Sequence, residues 1–405
     1  MISINKKEDC MGCYACASIC PVSCITMESD EEGFWYPDAA PDECRRCGLC
    51  IKVCPIVQKQ NVKGGRGSGL EPRAYAACNT DTSVRISSSS GGIFSLLAEV
   101  VIDSGGVVFG AAFDEQFNVY HDYVDAKEDL SRFQGSKYVQ SRIGESYQQA
   151  REFLKQGRLV LFSGTPCQIS GLQHYLGKAY GNLVCQDIVC HGVPSPEVWQ
   201  KYVAYRESRA SSPARRIAFR RKNSGWKRFS VSFSFEDDME YLAPLDRDLY
   251  MRAFLRNVCL RPSCHACHFK GINRESDITL ADFWGVQKLL PEMDDDRGVS
   301  LVLVHSPKGQ DLFERVRQRM VIREVDVEDA IRHNSVAVRS VTKHPRREEF
   351  FECLGSEPID QLIERVCHDS LPARIRSKMK SGLRVVLRKL GLLDAIRVVL
   401  ERGKV

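Results

Sequence analysis

The stretch CMGCYACASICP, residues 10–21, is followed by CRRCGLCIKVCP, residues 44–55, with the same spacing of cysteine and proline. In each stretch, three cysteines are separated by two-residue gaps, and a fourth cysteine follows three residues later, directly before proline. Runs of this spacing hold [4Fe–4S] clusters, and the fourth cysteine of each run binds the cluster of the other run. Two-residue gaps let a curled backbone present three thiolates to one small object. The doubled pattern therefore predicts two [4Fe–4S] clusters in residues 1–58.

The exchange of the fourth cysteine divides the eight thiols into two sets of four. The first set is Cys10, Cys13, Cys16 and Cys54, and the second set is Cys44, Cys47, Cys50 and Cys20. Zinc or a disulfide framework is the alternative for closely spaced cysteines, but a doubled eight-cysteine pattern favours clusters of the bacterial-ferredoxin type. Cys24 lies outside the pattern, and we predict a small core residue there.

Length and composition bound the class of protein. The chain has 405 residues, of which 43% are hydrophobic, enough for two or three globular domains. Its 18 cysteines are spread over a chain much longer than a secreted disulfide scaffold. Residues 1–7 lack the pattern of a signal peptide, and no stretch approaches the roughly 18 apolar residues of a membrane span. These features predict a reducing, cytoplasmic setting.

The positive charge is concentrated at the end of the chain. The net charge is +5, whereas residues 368–405 alone contain ten Lys/Arg and three Asp/Glu, giving +7 and leaving about −2 for the rest (5 minus 7). Within that segment, an apolar stripe from Leu383 to Val399 is flanked by basic residues. It predicts an amphipathic helix that packs on the body or makes peripheral contact with an anionic membrane.

Short apolar runs and helical patterns alternate after the cysteine-rich segment. Residues 74–77, 107–111, 159–162 and 183–189 have the pattern of buried strands, and residues 93–104 and 144–156 that of helices. This alternation predicts an α+β ferredoxin-like N-terminal module joined to a larger α/β body, with a helical C-terminal tail. The predicted divisions are the 1–58 module, a 59–72 linker, two parts of the body at 73–210 and 211–345, and a 346–405 basic helical tail.

A third group of cysteines follows the spacing Cys259-x4-Cys264-x2-Cys267. Three thiols predict a third [4Fe–4S] cluster and leave one ligand to be found among Cys190, Cys185 and Cys167. Cys190 is favoured because it ends a predicted strand. A zinc site using His265 or His268 is the alternative. The same segment matches the attachment motif of c-type haem, which the absence of an export signal disfavours.

Three Ser/Gly-rich loops suggest a nucleotide-like cofactor. They are residues 87–92, 135–138 and 163–168, and the first directly precedes a predicted helix. Free N–H groups at a helix N-terminus bind phosphate, although such residues also serve as ordinary helix caps. The third loop follows a predicted strand, where open α/β sheets bind ligands.

A basic segment runs from Arg215 to Arg228 with aromatic residues interleaved. It predicts a binding site for an anionic substrate or an acidic partner, and a solvated basic face is the alternative. Asp282 is predicted to serve as a structural cap or to adjust the potential of a redox site. His191 is a candidate catalytic acid only because it adjoins Cys190. No nucleic-acid-binding motif is present, and we expect no nucleic-acid partner.

Together these stretches resemble the beta subunit of coenzyme F420-reducing hydrogenase and related dehydrogenases over about residues 1–340. The stretches that carry the resemblance are SSSSGGIFSLL (87–97), GSKYVQS (135–141), FSGTPCQISGL (162–172), DIVCHGVPSP (187–196), FRRKNSGW (219–226) and CLRPSCHACHFKG with SDITLADFWG (within 259–285). The family includes deazaflavin enzymes, reductases of chlorophyll-type pigments and many bacterial members. The N-terminal ferredoxin and the basic tail are additions to its minimal pattern.

The resemblance implies a flavin, FAD, in the α/β body, with iron–sulfur clusters feeding it. Flavin phosphates would contact Ser89, Ser90, Gly91 and Gly92. The flavin would be lined by Lys137, Tyr138, Thr165, Pro166 and Cys167. The inner cluster would be held by Cys190, Cys259, Cys264 and Cys267.

These expectations converge on an iron–sulfur flavoprotein oxidoreductase. It would take electrons from a donor or redox partner protein and pass them to a small-molecule acceptor such as coenzyme F420. Two alternatives belong to other classes. One is an electron-transfer subunit of a larger complex without substrate chemistry of its own, and the other is a cluster-based redox sensor without flavin.

Overall fold

The computed structural model describes residues 1–61 and 71–368, beginning with a small α+β module. The module consists of β1 (Ile25–Ser29), β2 (Trp35–Ala39), α1 (Ala15–Ile19), α2 (Leu49–Lys52) and α3 (Pro55–Asn61). The two strands form an antiparallel hairpin that pairs Ile25 with Ala39. Each cysteine run contributes one short helix beside it, with Cys16 in α1 and Cys50 in α2.

The body contains eleven further strands in two sheets within the described residues. They are β3 (Arg73–Asn79), β4 (Val107–Phe113), β5 (Val119–Val124), β6 (Val160–Gly164), β7 (Leu183–Ile188), β8 (Ala214–Arg221), β9 (Ser230–Phe235), β10 (Glu240–Pro244), β11 (Ile278–Asp282), β12 (Ser300–Val304) and β13 (Met320–Val325). Eight of them form one mixed sheet in the order β13-β3-β12-β11-β7-β6-β4-β5, and β8, β9 and β10 form a separate antiparallel sheet.

The helices of the body pack around these sheets. They are α4 (Thr82–Ser87), α5 (Ile93–Asp103), α6 (Ser146–Lys155), α7 (Pro166–Leu176), α8 (Pro196–Ala210), α9 (Leu249–Leu255), α10 (Val286–Leu289), α11 (Pro307–Arg315), α12 (Val327–Ile331), α13 (Arg347–Glu352) and α14 (Ile359–Val366). A mixed α/β body behind a small N-terminal module confirms the coarse fold class predicted from the sequence.

The centre of the large sheet is parallel. Strands β4, β6, β7 and β11 run in the same direction, and antiparallel strands flank them on both sides. Parallel neighbours require crossover connections, which α7 supplies between β6 and β7. The carboxyl ends of these four strands therefore lie at one edge of the sheet, where α/β proteins bind ligands.

The large sheet draws strands from both predicted parts of the body. Strands β3 to β7 come from 73–210, whereas β11 to β13 come from 211–345. The division at residue 210 therefore separates sequence segments that share one sheet. An aromatic core around Trp199 joins α8 to the small sheet and to α14, with Trp199 4.7 Å from Phe219 between ring centroids.

Some predicted segments fall outside the described residues. These are most of the linker, residues 62–70, and the C-terminal segment, residues 369–405, which includes the apolar stripe from Leu383 to Val399. The start of the predicted tail is helical in α13 and α14. Among the helices that the structure describes, none is both long and apolar enough to cross a bilayer.

A buried arginine fastens the N-terminal module to the body. The side chain of Arg261 is 0% exposed, and its guanidinium donates to the carbonyl of Cys10 at 2.9 Å and to the carbonyl of Trp35 at 3.0 Å. It also donates to Gln140 Oε1 at 3.1 Å. Gly12 has left-handed backbone (φ 63°), which favours glycine, and its Cα lies close to the side chains of Gln140 and Arg261. The planar fork of one arginine thus joins the module to the body.

A second polar contact lies on the other side of the hairpin. Arg347 of α13 forms a bidentate ion pair with Glu32, and the Arg347 side chain is 3% exposed. The hydroxyl of Ser195 donates to the Glu32 carbonyl. The module is therefore held by hydrogen bonds from three separate parts of the body.

We expect Arg261→Lys to weaken the docking of the module. Lysine keeps the charge but cannot reach three acceptors in a plane, so buried carbonyls lose partners at a cost on the order of 3 kcal/mol. Chemical denaturation of the cluster-loaded protein measures this loss. Arg216→Lys, at an exposed position, is the matched control. Equal unfolding free energies for the two variants would contradict this role of Arg261.

Candidate redox centres and cofactor site

The first predicted cysteine set surrounds one cavity. Left-handed backbone at Gly12 (φ 63°) and Tyr14 (φ 67°) curls the chain between the first three cysteines. The cavity is lined by the thiols Cys10, Cys13, Cys16 and Cys54. Cys167 and Phe269 of the body line it as well. The four thiols grouped by the spacing rule thus lie together, next to a cysteine of the body.

The second set surrounds a separate cavity near the surface. It is lined by the thiols Cys20, Cys44, Cys47 and Cys50, together with Cys24. Left-handed backbone at Arg46 (φ 52°) and Gly48 (φ 75°) supplies the corresponding curl. Cys47 is exposed. Cys24 is buried, as predicted, but its sulfur lies 3.4 Å from that of Cys20.

The thiols surround these cavities instead of meeting at a point. In the part of the chain that the structure describes, no three His, Cys, Asp or Glu side chains are arranged to hold a single metal ion. A cubane has four iron corners, each bound by one thiolate, and therefore suits ligands that are spread around a cavity.

Four cysteines of the body come together in a third group, defined by Cys167, Cys190, Cys264 and Cys267. Burial, together with the neighbouring thiols of Cys267 and Cys190, raises the pKa of the Cys167 thiol to about 12. Burial also raises the pKa of the Cys264 thiol, with the other three thiols adding to the effect. These protons must leave when the thiols bind iron.

The parallel strands explain this meeting of distant residues. Cys167 lies in the first turn of α7, directly after β6, and Cys190 follows β7. Cys264 lies in the 3-10 helix Pro262–Ala266, where the N–H of Val193 donates to its sulfur at 3.4 Å. Lys270 donates to the Cys190 carbonyl and fixes the loop from the other side.

Cys259 does not lie with the other three predicted ligands of this group. It is 0% exposed within the aromatic core, and burial raises the pKa of its thiol, with Cys367 as the neighbouring thiol. The chain from Cys259 to Arg261 pairs with Val193–Ser195 before the 3-10 helix begins, which turns Cys259 into the core. Cys259 therefore lies apart from Cys264, whereas Cys167 is one of the thiols near Cys264.

The remaining candidates for this centre occupy other places. Cys185 is buried inside β7, where its N–H donates to Asp277. His265 lies near the carbonyl of Val341, and His268 is exposed. His191 contacts Asn257 through Nε2, and burial lowers the pKa of its imidazole.

The serine-rich loop is packed against β12. Ser90 donates to the Val299 carbonyl at 2.9 Å, and the Gly91 N–H donates to Ser300 Oγ at 3.0 Å. A Cβ at Gly91 would lie 2.4 Å from the Ala77 carbonyl, so glycine is required here. Gly92, with φ 80°, begins α5. Because its N–H donates to a side chain of β12, Gly91 is held in place by protein contacts.

The first two Ser/Gly loops meet through their hydroxyl groups. Ser136 Oγ donates to Ser89 Oγ at 2.8 Å. Lys137 donates to the Gln134 carbonyl, and burial lowers the pKa of its ammonium to about 7. The ring of Tyr138 stacks on Phe254 with centroids 4.8 Å apart.

The third loop connects this region to the thiol group. Thr165 caps α7 in a capping box with Gln168, and Pro166 occupies the first turn. Thr165 Oγ1 lies 3.2 Å from the sulfur of Cys167. The residues predicted to line a flavin and the third thiol group are therefore neighbours.

His121 links these loops, and the sequence offered no signal for it. Its Nε2–H donates to the Ser163 carbonyl at 3.0 Å, which leaves Nδ1 to accept from Ser141 Oγ. Burial, together with the nearby ammonium of Lys137, lowers the pKa of the imidazole to about 4. His121 is therefore a neutral structural connection behind the third loop.

The basic segment divides into two kinds of residue. Arg215 and Arg228 form exposed ion pairs, whereas Arg220 and Lys222 are buried. Lys222 donates to three backbone carbonyls, one of them that of Ser90, and thereby holds the serine-rich loop. The basic segment thus combines exposed arginines with buried basic residues that support the structure.

Comparison with known proteins identifies two domains. Residues 9–57 match the 4Fe-4S dicluster domain, and residues 157–330 match the C terminus of the coenzyme F420 hydrogenase/dehydrogenase beta subunit. The matches confirm the resemblance and support two [4Fe–4S] clusters in the N-terminal domain.

Individual relatives cover parts of the chain. One subunit of the F(420)H(2) dehydrogenase of Methanosarcina mazei is 24% identical over 180 residues, covering 41% of this chain and 48% of that relative. One subunit of the NADH-quinone oxidoreductase of Geobacter metallireducens is 35% identical over 57 residues, covering 13% of this chain and 44% of that relative. The chain spans about half the length of the curated relatives it matches.

A structural relative is the F420-reducing [NiFe] hydrogenase complex from Methanosarcina barkeri. The match has a TM-score of 0.43 and 15% identity, and it covers 72% of this chain and 90% of the hydrogenase chain.

We expect Cys167→Ser to remove about four irons per chain, whereas Cys259→Ser keeps them. A [4Fe–4S] cluster requires a ligand at each corner, and Cys167 lies in the thiol group while Cys259 does not. Iron and acid-labile sulfide after anaerobic purification measure the difference. Loss of iron from the Cys259 variant alone would restore the ligand set predicted from the sequence.

We also expect His121 to make folding sensitive to acid. The imidazole has an ordinary pKa near 6.5 and a folded pKa of about 4, so the unfolded chain binds the proton first as pH falls. Stability is therefore lost between about pH 6.5 and pH 4, by up to about 3 kcal/mol. His121→Gln should show a shallower loss in denaturation titrations across this window. If stability fell equally with pH in the wild type and in the His121→Gln variant, this role of His121 would be contradicted.

Proposed function

We propose that this chain is an iron–sulfur flavoprotein oxidoreductase. Electrons from an external donor enter the clusters of the N-terminal domain and reach a flavin, FAD, in the α/β body. A two-electron acceptor, coenzyme F420 or another small molecule, takes them up there. The proteins similar to the body carry coenzyme F420 in their names, which supports this class of acceptor.

The observation that carries the proposal is the order of the thiol groups in space. Cys167 lines the cavity of the first cysteine set and is also a member of the third group. A small apolar cluster around Phe269 packs Cys54 of the first set beside Cys167 and Cys267. The thiol groups therefore form a continuous series from the surface, at Cys47, to the loops around Thr165.

We propose Cys167, Cys190, Cys264 and Cys267 as ligands of a third [4Fe–4S] cluster. Cys167 thereby moves from the flavin contacts to the cluster ligands. The proposed flavin contacts are then Ser89, Ser90, Gly91, Gly92, Lys137, Tyr138, Thr165 and Pro166. A flavin accepts one or two electrons, so it can join one-electron clusters to a two-electron acceptor.

The residues of the chain have separate tasks in this scheme. Lys222 and Ser300 hold the serine-rich loop in shape through hydrogen bonds to Ser90 and Gly91. The hydroxyl of Thr165, in the third loop, lies 3.2 Å from the sulfur of Cys167. Phe269 is buried and packs in one apolar cluster with Cys54 of the first set and with Cys167 and Cys267 of the third group. Protein side chains thus set distances and surroundings, while the bound groups supply the redox chemistry.

An electron-transfer subunit without substrate chemistry of its own is the second candidate. The exposed Cys47 at the second cavity would give a partner protein access to the outermost cluster. The relatives are named as subunits of larger enzymes. In that case the isolated chain reduces artificial dyes but turns over no small-molecule acceptor.

The composition of the purified protein tests the proposal. After strictly anaerobic purification, we expect about twelve irons, matching acid-labile sulfide and one flavin per chain. About eight irons without flavin, persisting after reconstitution, would contradict the flavoprotein and leave a carrier or a sensor.

Replacement of Cys264 by Ala tests the relay. Removing a ligand of the proposed third cluster should slow reduction of the flavin by the reduced N-terminal clusters by at least about tenfold, because the series is interrupted. Stopped-flow absorbance follows cluster oxidation and flavin reduction in one experiment. Cys353→Ala changes a cysteine outside all three groups and serves as the control. Flavin reduction at the wild-type rate in the Cys264 variant would exclude the relay.

A further inference from the structure

Arg220, at the end of β8, has a buried guanidinium with one side unused. The residue is 7% exposed, and its Nη1 group forms an ion pair with Asp282. Its Nε and Nη2 groups are buried and have no hydrogen-bond partner. A buried donor without a partner has a substantial energetic cost, and the cost is larger for a charged group. The unused side of Arg220 therefore requires an explanation.

Asp282 cannot satisfy that side of the guanidinium. One of its carboxylate oxygens pairs with Nη1 of Arg220, and the other accepts from Trp226 Nε1 at 2.9 Å. The ring of Phe229 lies 4.3 Å from the guanidinium carbon, and Trp284 lies 5.8 Å away. Aromatic faces attract the charge but do not replace two hydrogen-bond acceptors.

The free side has the geometry of an oxyanion receptor. The Nε and Nη2 groups of arginine point in the same direction and bind two oxygens of one carboxylate or phosphate. Asp282 leaves this pair of donors open while it fixes the orientation of the guanidinium from the opposite side. The arrangement differs from that of Lys222, whose ammonium already donates to three carbonyls.

The position of Arg220 relates it to the cofactor loops. Its Nη1 group lies 3.4 Å from the hydroxyl of Tyr138, in the second Ser/Gly loop. Lys222, two residues further along, holds the first such loop through the Ser90 carbonyl. Asp282 ends β11, one of the parallel strands whose carboxyl ends form the ligand-binding edge.

We propose that the Nε–Nη2 side of Arg220 binds a carboxylate or phosphate group of a redox ligand in two-point contact. This inference rests on the proposed function, because that function identifies the loop of Tyr138 as part of the cofactor site. The oxyanion comes either from a phosphate of the flavin or from an acidic group on the two-electron acceptor.

Binding of simple anions tests the receptor without depending on flavin. Inorganic pyrophosphate and malonate are titrated calorimetrically into the full chain with its clusters loaded and any flavin removed. We expect Arg220→Gln to weaken binding of at least one of them about ten- to a hundredfold, the range for a lost charge-assisted hydrogen-bond pair. Arg220→Lys, which keeps the charge but lacks the fork, should also bind more weakly than the wild type.

Control variants separate binding from folding. Arg228→Gln changes an exposed arginine of the same basic segment and should bind as the wild type does. In the single variant Arg220→Gln, the carboxylate of Asp282 loses its charged partner. The double variant Arg220→Gln/Asp282→Asn removes that carboxylate as well, so it can be tested if the single variant does not fold. Equal affinities in the wild type and the Arg220 variants, or no binding of either anion to the wild type, would overturn the proposal.

A second measurement identifies the source of the oxyanion. If it belongs to the flavin, Arg220→Gln weakens FAD binding but leaves riboflavin binding unchanged. If it belongs to the acceptor, both flavins bind normally, and KM rises for coenzyme F420 but not for a cationic viologen dye. Either result supports the receptor. A wild-type protein that takes up no flavin would contradict the proposed function, while the pyrophosphate and malonate titrations would still decide the role of Arg220.

Discussion

The burial of one guanidinium, that of Arg261, determines how the two domains of this protein meet. A fully buried arginine is stable only where its donors find acceptors, and here the carbonyls of Cys10 and Trp35 lie on the module while Gln140 lies on the body. Gly12 suits this approach because its backbone is left-handed (φ 63°) and because a Cβ there would crowd the end of the Gln140 side chain. The first cysteine set is thereby fixed beside Cys167, and the series of thiol groups depends on that contact.

The parallel centre of the large sheet provides the second constraint. Strands that run in the same direction deliver their following loops to one edge, which brings Thr165, Cys190 and Asp282 from distant parts of the sequence to neighbouring positions. The loop regions at this edge are held by buried polar groups. Lys222 supports the serine-rich loop, and neutral His121 connects the third loop to Ser141. These side chains fix the loops around the proposed cofactor, and they need not contact the cofactor to do so.

The difference between Cys259 and Cys167 shows where spacing arguments fail. A short motif in which x4 and x2 gaps separate three cysteines suggests three ligands, but the gap before Cys264 contains Pro262, which begins a new 3-10 helix. Cys259 consequently faces the aromatic core. Cys167 was among the candidates for the missing ligand, yet local sequence could not bring it next to Cys264, because their proximity depends on how β6, β7 and the 259–267 segment pack. The same limit applies to Arg220, since only packing buries Arg220 and Lys222 while Arg215, Arg216 and Arg221 of the same basic segment stay exposed.

The sequence by itself determined the eight N-terminal cysteines and their division into two sets, because their geometry is local and depends on fixed gaps in a curled backbone. It also determined the alternation of strands and helices and the family of residues 157–330, because periodicity and long ordered motifs survive without tertiary information. Only the tertiary structure decided which body cysteines gather, which arginine keeps an unused pair of donors, and how the module docks. Those features depend on contacts between residues that lie far apart in the sequence. Cys10 and Arg261 are 251 positions apart, and Glu32 and Arg347 are 315 positions apart. No local pattern encodes such a contact.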